Sequence, residues 1–224
     1  MIRVLRDHAP ESPDALAVRA GDRLHVGHAD DAYPGWRWCT TADGRAGWVP
    51  ETSLPRLRQG GDGDAGAVAG LHIASWQATY RGELPDRFLD SQSLAARSAE
   101  WERRLADPSV RLLLIEGTGM LLGFAAFGPS RDVDADPAAV WELYNLHLRP
   151  EQRGGGLGQL LLAEVAENGR GAGRGQLSLW VGQRNWPARR FYERHGMRPD
   201  GATQMHRLGP DAELAEVRYV RPLD

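Results

Sequence analysis

The sequence predicts a mixed α+β fold, a central mixed sheet flanked by helices, with a small all-β barrel ahead of it. Three observations carry this. An apolar strand segment, a run of glycines and an apolar helix segment follow one another over residues 140–166. Across residues 55–224 the apolar periodicity switches between two and 3.6 in the order βααβββαβαββ. Residues 1–54 instead hold short alternating runs punctuated by glycine, proline and clustered tryptophan.

Within 1–54, Ala15-Leu16-Ala17-Val18 and Leu24-His25-Val26 read as short strands split by the Gly21-Asp22 turn. Aromatic segments follow at Tyr33-Pro34-Gly35-Trp36-Arg37-Trp38-Cys39 and Gly47-Trp48-Val49-Pro50. Leu54-Pro55-Arg56-Leu57 leaves little room for a linker, so the barrel is expected to pack on the domain of residues 55–224. There, residues 56–59 read as a first strand. Residues 64–80 carry Val68, Leu71, His72 and Trp76 at helical spacing, and residues 94–105 form a second amphipathic helix ending near Asp107-Pro108. Strands at 110–116 and 121–128 are joined by Gly117-Thr118-Gly119, a hairpin signal. Residues 140–148 make the central strand. A helix over 159–166, a strand at 177–181, a helix at 187–195 and strands at 197–208 and 213–221 complete the order. Residues 169–175 alternate glycine with arginine or alanine and read as a loop.

The turn between central strand and helix, Arg153-Gly154-Gly155-Gly156-Leu157-Gly158, has the makings of an anion site. Glycines let the backbone come close to a ligand. Unpaired N–H groups and the helix dipole favour phosphate oxygens, and Arg153 adds a fork of charged donors. A dinucleotide fingerprint fails, since its third glycine would fall at Gln159, and a P-loop fails because the chain has no lysine. What remains is R-x-x-G-x-G at Arg153, Gly156 and Gly158. After the next strand comes Asn185-Trp186-Pro187-Ala188-Arg189-Arg190-Phe191-Tyr192-Glu193-Arg194-His195-Gly196-Met197, a short helix with an Asn N-cap, an early proline and a closing glycine.

These two motifs, in this order, resemble the GNAT superfamily of acyl-CoA-dependent N-acetyltransferases, over residues 55–224. That family's cofactor loop reads R/Q-x-x-G-x-G/A, and its next helix carries N-x-x-A-x-x-F/L-Y-x-x-x-G-F/M. The resemblance implies acetyl-CoA as acyl donor, lying in an opening between the central strand and the next. It implies pantetheine contacts to the backbone of Leu146, His147 and Leu148, and pyrophosphate contacts to the amides of Arg153, Gly154, Gly155, Gly156, Leu157 and Gly158. Asn185 would approach the pantetheine arm, and Ala188 is small enough to let the helix lie close. The attacked thioester expels a thiolate that needs a proton. Tyr192 matches the family's donor, and a phenol of pKa about 10 holds its proton at neutral pH. Glu142 is the candidate base, the alternative being a strand glutamate held by solvent or an arginine. By strict alternation it shares a face with Tyr144, Leu146 and Leu148, with His147 on the other. His147 and His195 are further proton-relay candidates, the latter otherwise a charge at a helix C-terminus.

For the acceptor, Trp76 and Tyr80 lie one helical turn apart, where the relatives cover the acceptor with the loop after the first helix; core packing is the alternative for Trp76. Arg131-Asp132-Val133-Asp134-Ala135-Asp136 is an acidic loop that either attracts a cationic amine or is simply solvated. The first domain resembles the Src-homology-3 family. Pro13-Asp14-Ala15-Leu16 with Ala20-Gly21-Asp22 matches one of its segments, Trp36 its groove tryptophan and Gly47-Trp48-Val49-Pro50 a later strand. The groove tyrosine places hold Arg6, His8 and Ser53, leaving Trp36 and Pro50 with Tyr33 as a substitute, so a proline-rich ligand is not implied. A peptide or an intramolecular contact near Trp36 remains an alternative to simple core packing.

Composition narrows the function further. A formal net charge of −3 gives no footprint for nucleic acid. No apolar run reaches the roughly 18 residues of a membrane span, and no apolar segment follows Met1-Ile2-Arg3-Val4-Leu5-Arg6, so neither membrane insertion nor a signal peptide is expected. The single cysteine, Cys39, excludes an internal disulfide and fits a cytoplasmic setting. His25 and His28 lack companion ligands, so no metal is expected. The expected activity is N-acetyl transfer to a primary amine, a small molecule by preference, in a ternary complex; a dimer is compatible. The alternatives are an acyl-CoA-responsive adaptor, or a protein or peptide acetyltransferase whose barrel recruits the acceptor.

Overall fold

The computed structural model describes residues 1–10, 12 and 14–224; Pro13, part of the first segment likened to the Src-homology-3 pattern, lies outside them. Strands β1 (Ile2–Arg3), β2 (Arg23–Val26), β3 (Trp36–Thr41) and β4 (Ala46–Pro50) form an antiparallel sheet in that order. They close over Val4, Leu16, Val18, Leu24, Cys39, Val49 and Leu54. The segment 15–18, expected as a strand, makes only isolated bridges, Ala15 with Trp48 and Val18 with His8. Leu16 and Val18 point inward, but their N–H groups bond to different neighbours, the carbonyls of Trp48 and His8, so no ladder forms. Trp48 is buried and Tyr33 stacks on it at 4.8 Å, while Trp36 is half-buried with His8 against its ring.

The second sheet has seven strands. In chain order the elements are β5 (Arg56–Gln59), α1 (Ala65–Tyr80), α2 (Asp86–Asp90), α3 (Leu94–Leu105), β6 (Arg111–Gly117), β7 (Met120–Pro129), β8 (Val140–Leu148), α4 (Leu157–Gly171), β9 (Gln176–Gly182), α5 (Trp186–Arg194), β10 (Arg198–Gly209) and β11 (Ala212–Pro222). The sheet order is β10-β11-β9-β8-β7-β6-β5, with only β8 and β9 parallel. The expected order is therefore present, with α2 added. That single turn buries one side chain, Leu89, too little to show helical periodicity in the sequence. Helices α4 and α5 cover one face through Leu157, Leu161, Leu162, Val165 and Tyr192. On the other, α1 and α3 pack Val68, Leu71 and Trp101 on Leu114 and Phe124. No described helix is long and apolar enough to cross a membrane.

A bulge in β8 positions the site. The β7–β8 ladder pairs Ala126 with Asn145 and then Phe127 with Leu143, so Tyr144 is the inserted residue. The insertion reverses the alternation. Trp141 and Leu143 before it and Leu146 and Leu148 after it all lie on the α4 side. Glu142 and His147 consequently share the opposite face, where strict alternation had separated them. The β8–β9 ladder runs from Val140–Gln176 to Leu143–Leu179 and stops at the bulge. Beyond it β9 stays with β11, and the two parallel strands diverge.

Candidate active site

The diverging edge of β8 has a defined phase. The Arg149 N–H donates to the Leu122 carbonyl at 2.9 Å, so this residue pair is hydrogen-bonded across the antiparallel ladder. Such pairs recur at every second residue. His147 and Asn145 therefore spend their backbone groups on β7, while Leu146 and Leu148 turn theirs toward the opening. The expectation for His147 is corrected by this alternation: its backbone faces β7 and its ring faces α1.

The glycine turn follows a 3₁₀ turn at Pro150–Gln152. Gly154 and Gly156 have φ of 74° and 87°, a conformation that favours glycine. The N–H groups of Gly154, Gly156, Leu157, Gly158 and Gln159 find no acceptor among the described residues. Four of these five lie within the expected 153–158 set. The amides of Arg153 and Gly155 instead turn back on the carbonyls of Pro150 and Gln152. A Cβ at Gly158 would sit 3.3 Å from the Phe191 ring and 3.6 Å from Leu148. At that bare position the turn, the open edge of β8 and α5 converge. The Arg153 guanidinium does not join them: it donates to Thr79 Oγ1 at 2.8 Å and reaches the Ser75 carbonyl at 3.4 Å, tying the turn to α1.

Asn185 caps α5, its Oδ1 accepting the Ala188 N–H at 3.2 Å, and Ala188 packs on the core beneath. Tyr192, one face along, is buried. Burial and then the neighbouring Tyr80 phenol push its pKa well above the usual tyrosine range, so it stays protonated and able to donate.

The acceptor-side candidates are differently employed. Both Glu142 oxygens are held by Arg131, Oε2 by its N–H at 2.7 Å and Oε1 by its guanidinium at 2.9 Å. Glu142 thus occupies the arginine-paired alternative and anchors the acidic loop. Glu142→Ala is expected to destabilise the fold by about 1.5–3 kcal/mol through the lost hydrogen bonds to its buried carboxylate; lost turnover at an unchanged Tm would return it to the base role. Asp132 and Asp134 are already paired with a cation of this chain, although Asp134 stays exposed. With Asp200 they converge on Arg218, at 3.1, 2.7 and 2.7 Å, and Asp132 also accepts from the Trp180 indole. Trp76 and Tyr80 pack at 5.0 Å in a cluster with Leu84, Leu89 and Leu214. Tyr80 borders the site, its hydroxyl lying against Gly182.

His147 sits under α1 with Nδ1 3.1 Å from Ser75 Oγ and its ring 4.6 Å from that of His72. Burial, then Arg153 and Arg97, lowers its pKa to about 3; burial and His147 hold His72 well below the usual range. In the unfolded chain both would protonate near pH 6.5. Between pH 6.5 and 3 the unfolded state binds more protons, so stability falls as pH falls through that window. Each neutral histidine contributes a slope of up to about 1.4 kcal/mol per pH unit. Tm measured from pH 7 to 4 should drop less steeply in His147→Asn than in the wild type.

One pair escaped the sequence reading. Glu216 on β11 lies beside Gly182 in the ladder, accepts from Gln204 at 2.8 Å and faces His206 Nδ1 at 3.6 Å. The pair raises the His206 pKa. The available signal was a lone glutamate two residues from buried Leu214 on one strand face.

Comparison with known proteins gives the class. The model described as acetyltransferase (GNAT) family matches residues 73–197, and that of a variant SH3 domain matches residues 1–55. An uncharacterized N-acetyltransferase of Mycobacterium tuberculosis is 34% identical over 151 residues, covering 66% of this chain and 80% of the relative. One of Bacillus subtilis is 30% identical over 128 residues, 56% of this chain and 70% of the relative. Two solved structures share the fold. An acetyltransferase of Salmonella typhimurium with its cofactor acetyl-CoA has a TM-score of 0.57 at 21% identity, over 77% of this chain and 95% of that one. An N-acetyltransferase of Thermoplasma acidophilum in complex with coenzyme A has a TM-score of 0.53 at 20% identity, over 73% and 98%. This chain belongs to the GNAT acetyltransferase family, an acetyl-CoA-dependent class of N-acetyltransferases, and carries an SH3-like domain at its N-terminal side.

Proposed function

We propose that the enzyme moves an acetyl group from acetyl-CoA directly to a primary amine, a small molecule by preference, within a ternary complex. The convergence at Gly158 of unpaired amides, an open strand edge and the helix bearing Tyr192 carries this reading. Acetyl-CoA, when bound, supplies the acyl group as a thioester. The amides of Gly154, Gly156, Leu157 and Gly158 would hold its pyrophosphate at the α4 N-terminus. Leu146 and Leu148 would bond the pantetheine as an added strand does. Tyr192 would give its phenolic proton to the departing sulfur, and the attacking amine would lose one. Glu216, opposite Gly182 in the ladder and so near Tyr80, would take that second proton in place of Glu142. Net, a C–S bond is exchanged for a C–N bond and the protons balance.

Cys39, buried in the other sheet, is remote from this chemistry, and burial pushes its thiol up to about 11. That supports direct transfer over a thioester relay, and a free thiol suits the cytoplasm. We take residues 1–54 and 55–224 as the two units, each sheet closing its own core. Initial rates with acetyl-CoA and amine both varied should give intersecting reciprocal lines; parallel lines would mean an acetyl-enzyme and refute direct transfer.

A further inference from the structure

The barrel lies against the glycine turn. The Arg3 N–H donates to the Gly155 carbonyl at 3.1 Å, and the Arg23 guanidinium donates to the Gly154 carbonyl at 3.1 Å. A Cβ at Gly155 would lie 3.6 Å from Arg3 Cβ and 3.7 Å from its Nε, and one at Gly156 would run into the Met1 carbonyl. Two guanidinium groups from another domain thus stand beside the turn, where the N–H groups of Gly154, Gly156, Leu157 and Gly158 lack acceptors among the described residues. Among the described residues neither Arg3 nor Arg23 has a carboxylate partner. The turn's own Arg153 is committed to Thr79 and Ser75 on α1. Arg23 spends one of a guanidinium's five donors on Gly154, and Arg3 donates no side-chain hydrogen bond among the described residues. Unpaired guanidinium forks beside unpaired backbone amides are the chemistry that grips phosphate.

Resting on the reading of the turn as a pyrophosphate site, we propose that Arg3 and Arg23 bind phosphate of coenzyme A, so that the barrel forms one wall of the site for its ADP half. Charge and position both follow from the fold: β1 is held on the turn by a main-chain bond that side-chain truncation leaves in place.

The test is calorimetric titration of the full-length protein with coenzyme A and with 3′-dephospho-coenzyme A, at about 50 and 500 mM salt, a range over which charge contacts are strongly screened. The proteins are the wild type, Arg3→Ala/Arg23→Ala, and Arg45→Ala, which removes an arginine paired with Asp43 on the barrel's β3–β4 turn. At low salt the double variant should bind coenzyme A about tenfold more weakly, as for a lost charged hydrogen bond, and Arg45→Ala as the wild type does. The gap should narrow at high salt. A loss confined to coenzyme A assigns the arginines to the 3′-phosphate; a salt-sensitive loss shared by both ligands assigns them to the pyrophosphate. Unchanged affinity, or a loss equal at both salts, overturns the proposal. Arg3→Lys/Arg23→Lys, which keeps the charge but not the planar fork, should recover part of the affinity lost in the alanine variant at low salt; no recovery would make the arginines props for the turn and also overturn the proposal. A wild-type protein that binds neither ligand would refute the pyrophosphate reading itself, a distinct failure.

Discussion

Tyr192→Phe is expected to lower turnover by about 10²–10⁴-fold, the usual contribution of a positioned general acid, while leaving coenzyme A affinity within about twofold. The separation follows from the surroundings. The Tyr192 ring packs against Phe191 at 5.2 Å and lies 6.5 Å from the Tyr219 ring inside the α5-side core, and phenylalanine fills the same volume. What leaves is the O–H alone. Because burial and Tyr80 hold that phenol protonated well above the ordinary range, wild-type turnover should not decline through loss of this acid at moderately alkaline pH. Burst and steady-state rates with any accepted amine, beside calorimetric Kd values, check both halves. Unchanged turnover would remove Tyr192 from the mechanism; weakened binding would make it a structural residue.

The second large effect is expected at Gly156. Its φ of 87° costs an alanine about 1–2 kcal/mol, and the new Cβ would meet the Met1 carbonyl, which is backbone and cannot rotate aside. Gly156→Ala should therefore prise β1 from the turn, lower Tm by several degrees and weaken coenzyme A at least tenfold. Gly154→Ala is the internal comparison. Its φ of 74° imposes a similar strain, but no atom lies within 4 Å of its added Cβ. It should lose stability from strain alone and keep more of its affinity. Equal behaviour of the two variants would mean that the barrel contact contributes nothing to the turn.

The strand and helix order of the larger domain was legible because each element is written locally. Asn185 caps a helix whose first turn holds Pro187, and Gly117-Thr118-Gly119 closes a hairpin, with φ of 53° at Thr118 and 79° at Gly119. The glycine turn was legible as a turn for the same reason. What escaped depends on partners far apart in the chain. The bulge at Tyr144 leaves no local mark, and without it alternation puts Glu142 and His147 on the wrong faces. The acidic loop reads as solvated charge until Arg218 draws Asp132, Asp134 and Asp200 together. Arg153 reads as a phosphate ligand until Ser75 and Thr79 claim it. The meeting of Arg3 and Arg23 with Gly154 and Gly155 joins two domains, and no period or spacing within either one encodes it.

The most direct test of the central claim is acetyl-CoA-dependent thiol release by the full-length protein. The panel would span polyamines, aminoglycosides, amino acids and short peptides, with Tyr192→Phe measured in parallel. Direct acetyl transfer predicts release with one class of amine, matched by its N-acetyl product and largely lost in the variant. Release that persists unchanged in Tyr192→Phe, or that proceeds without an N-acetyl product, would contradict it.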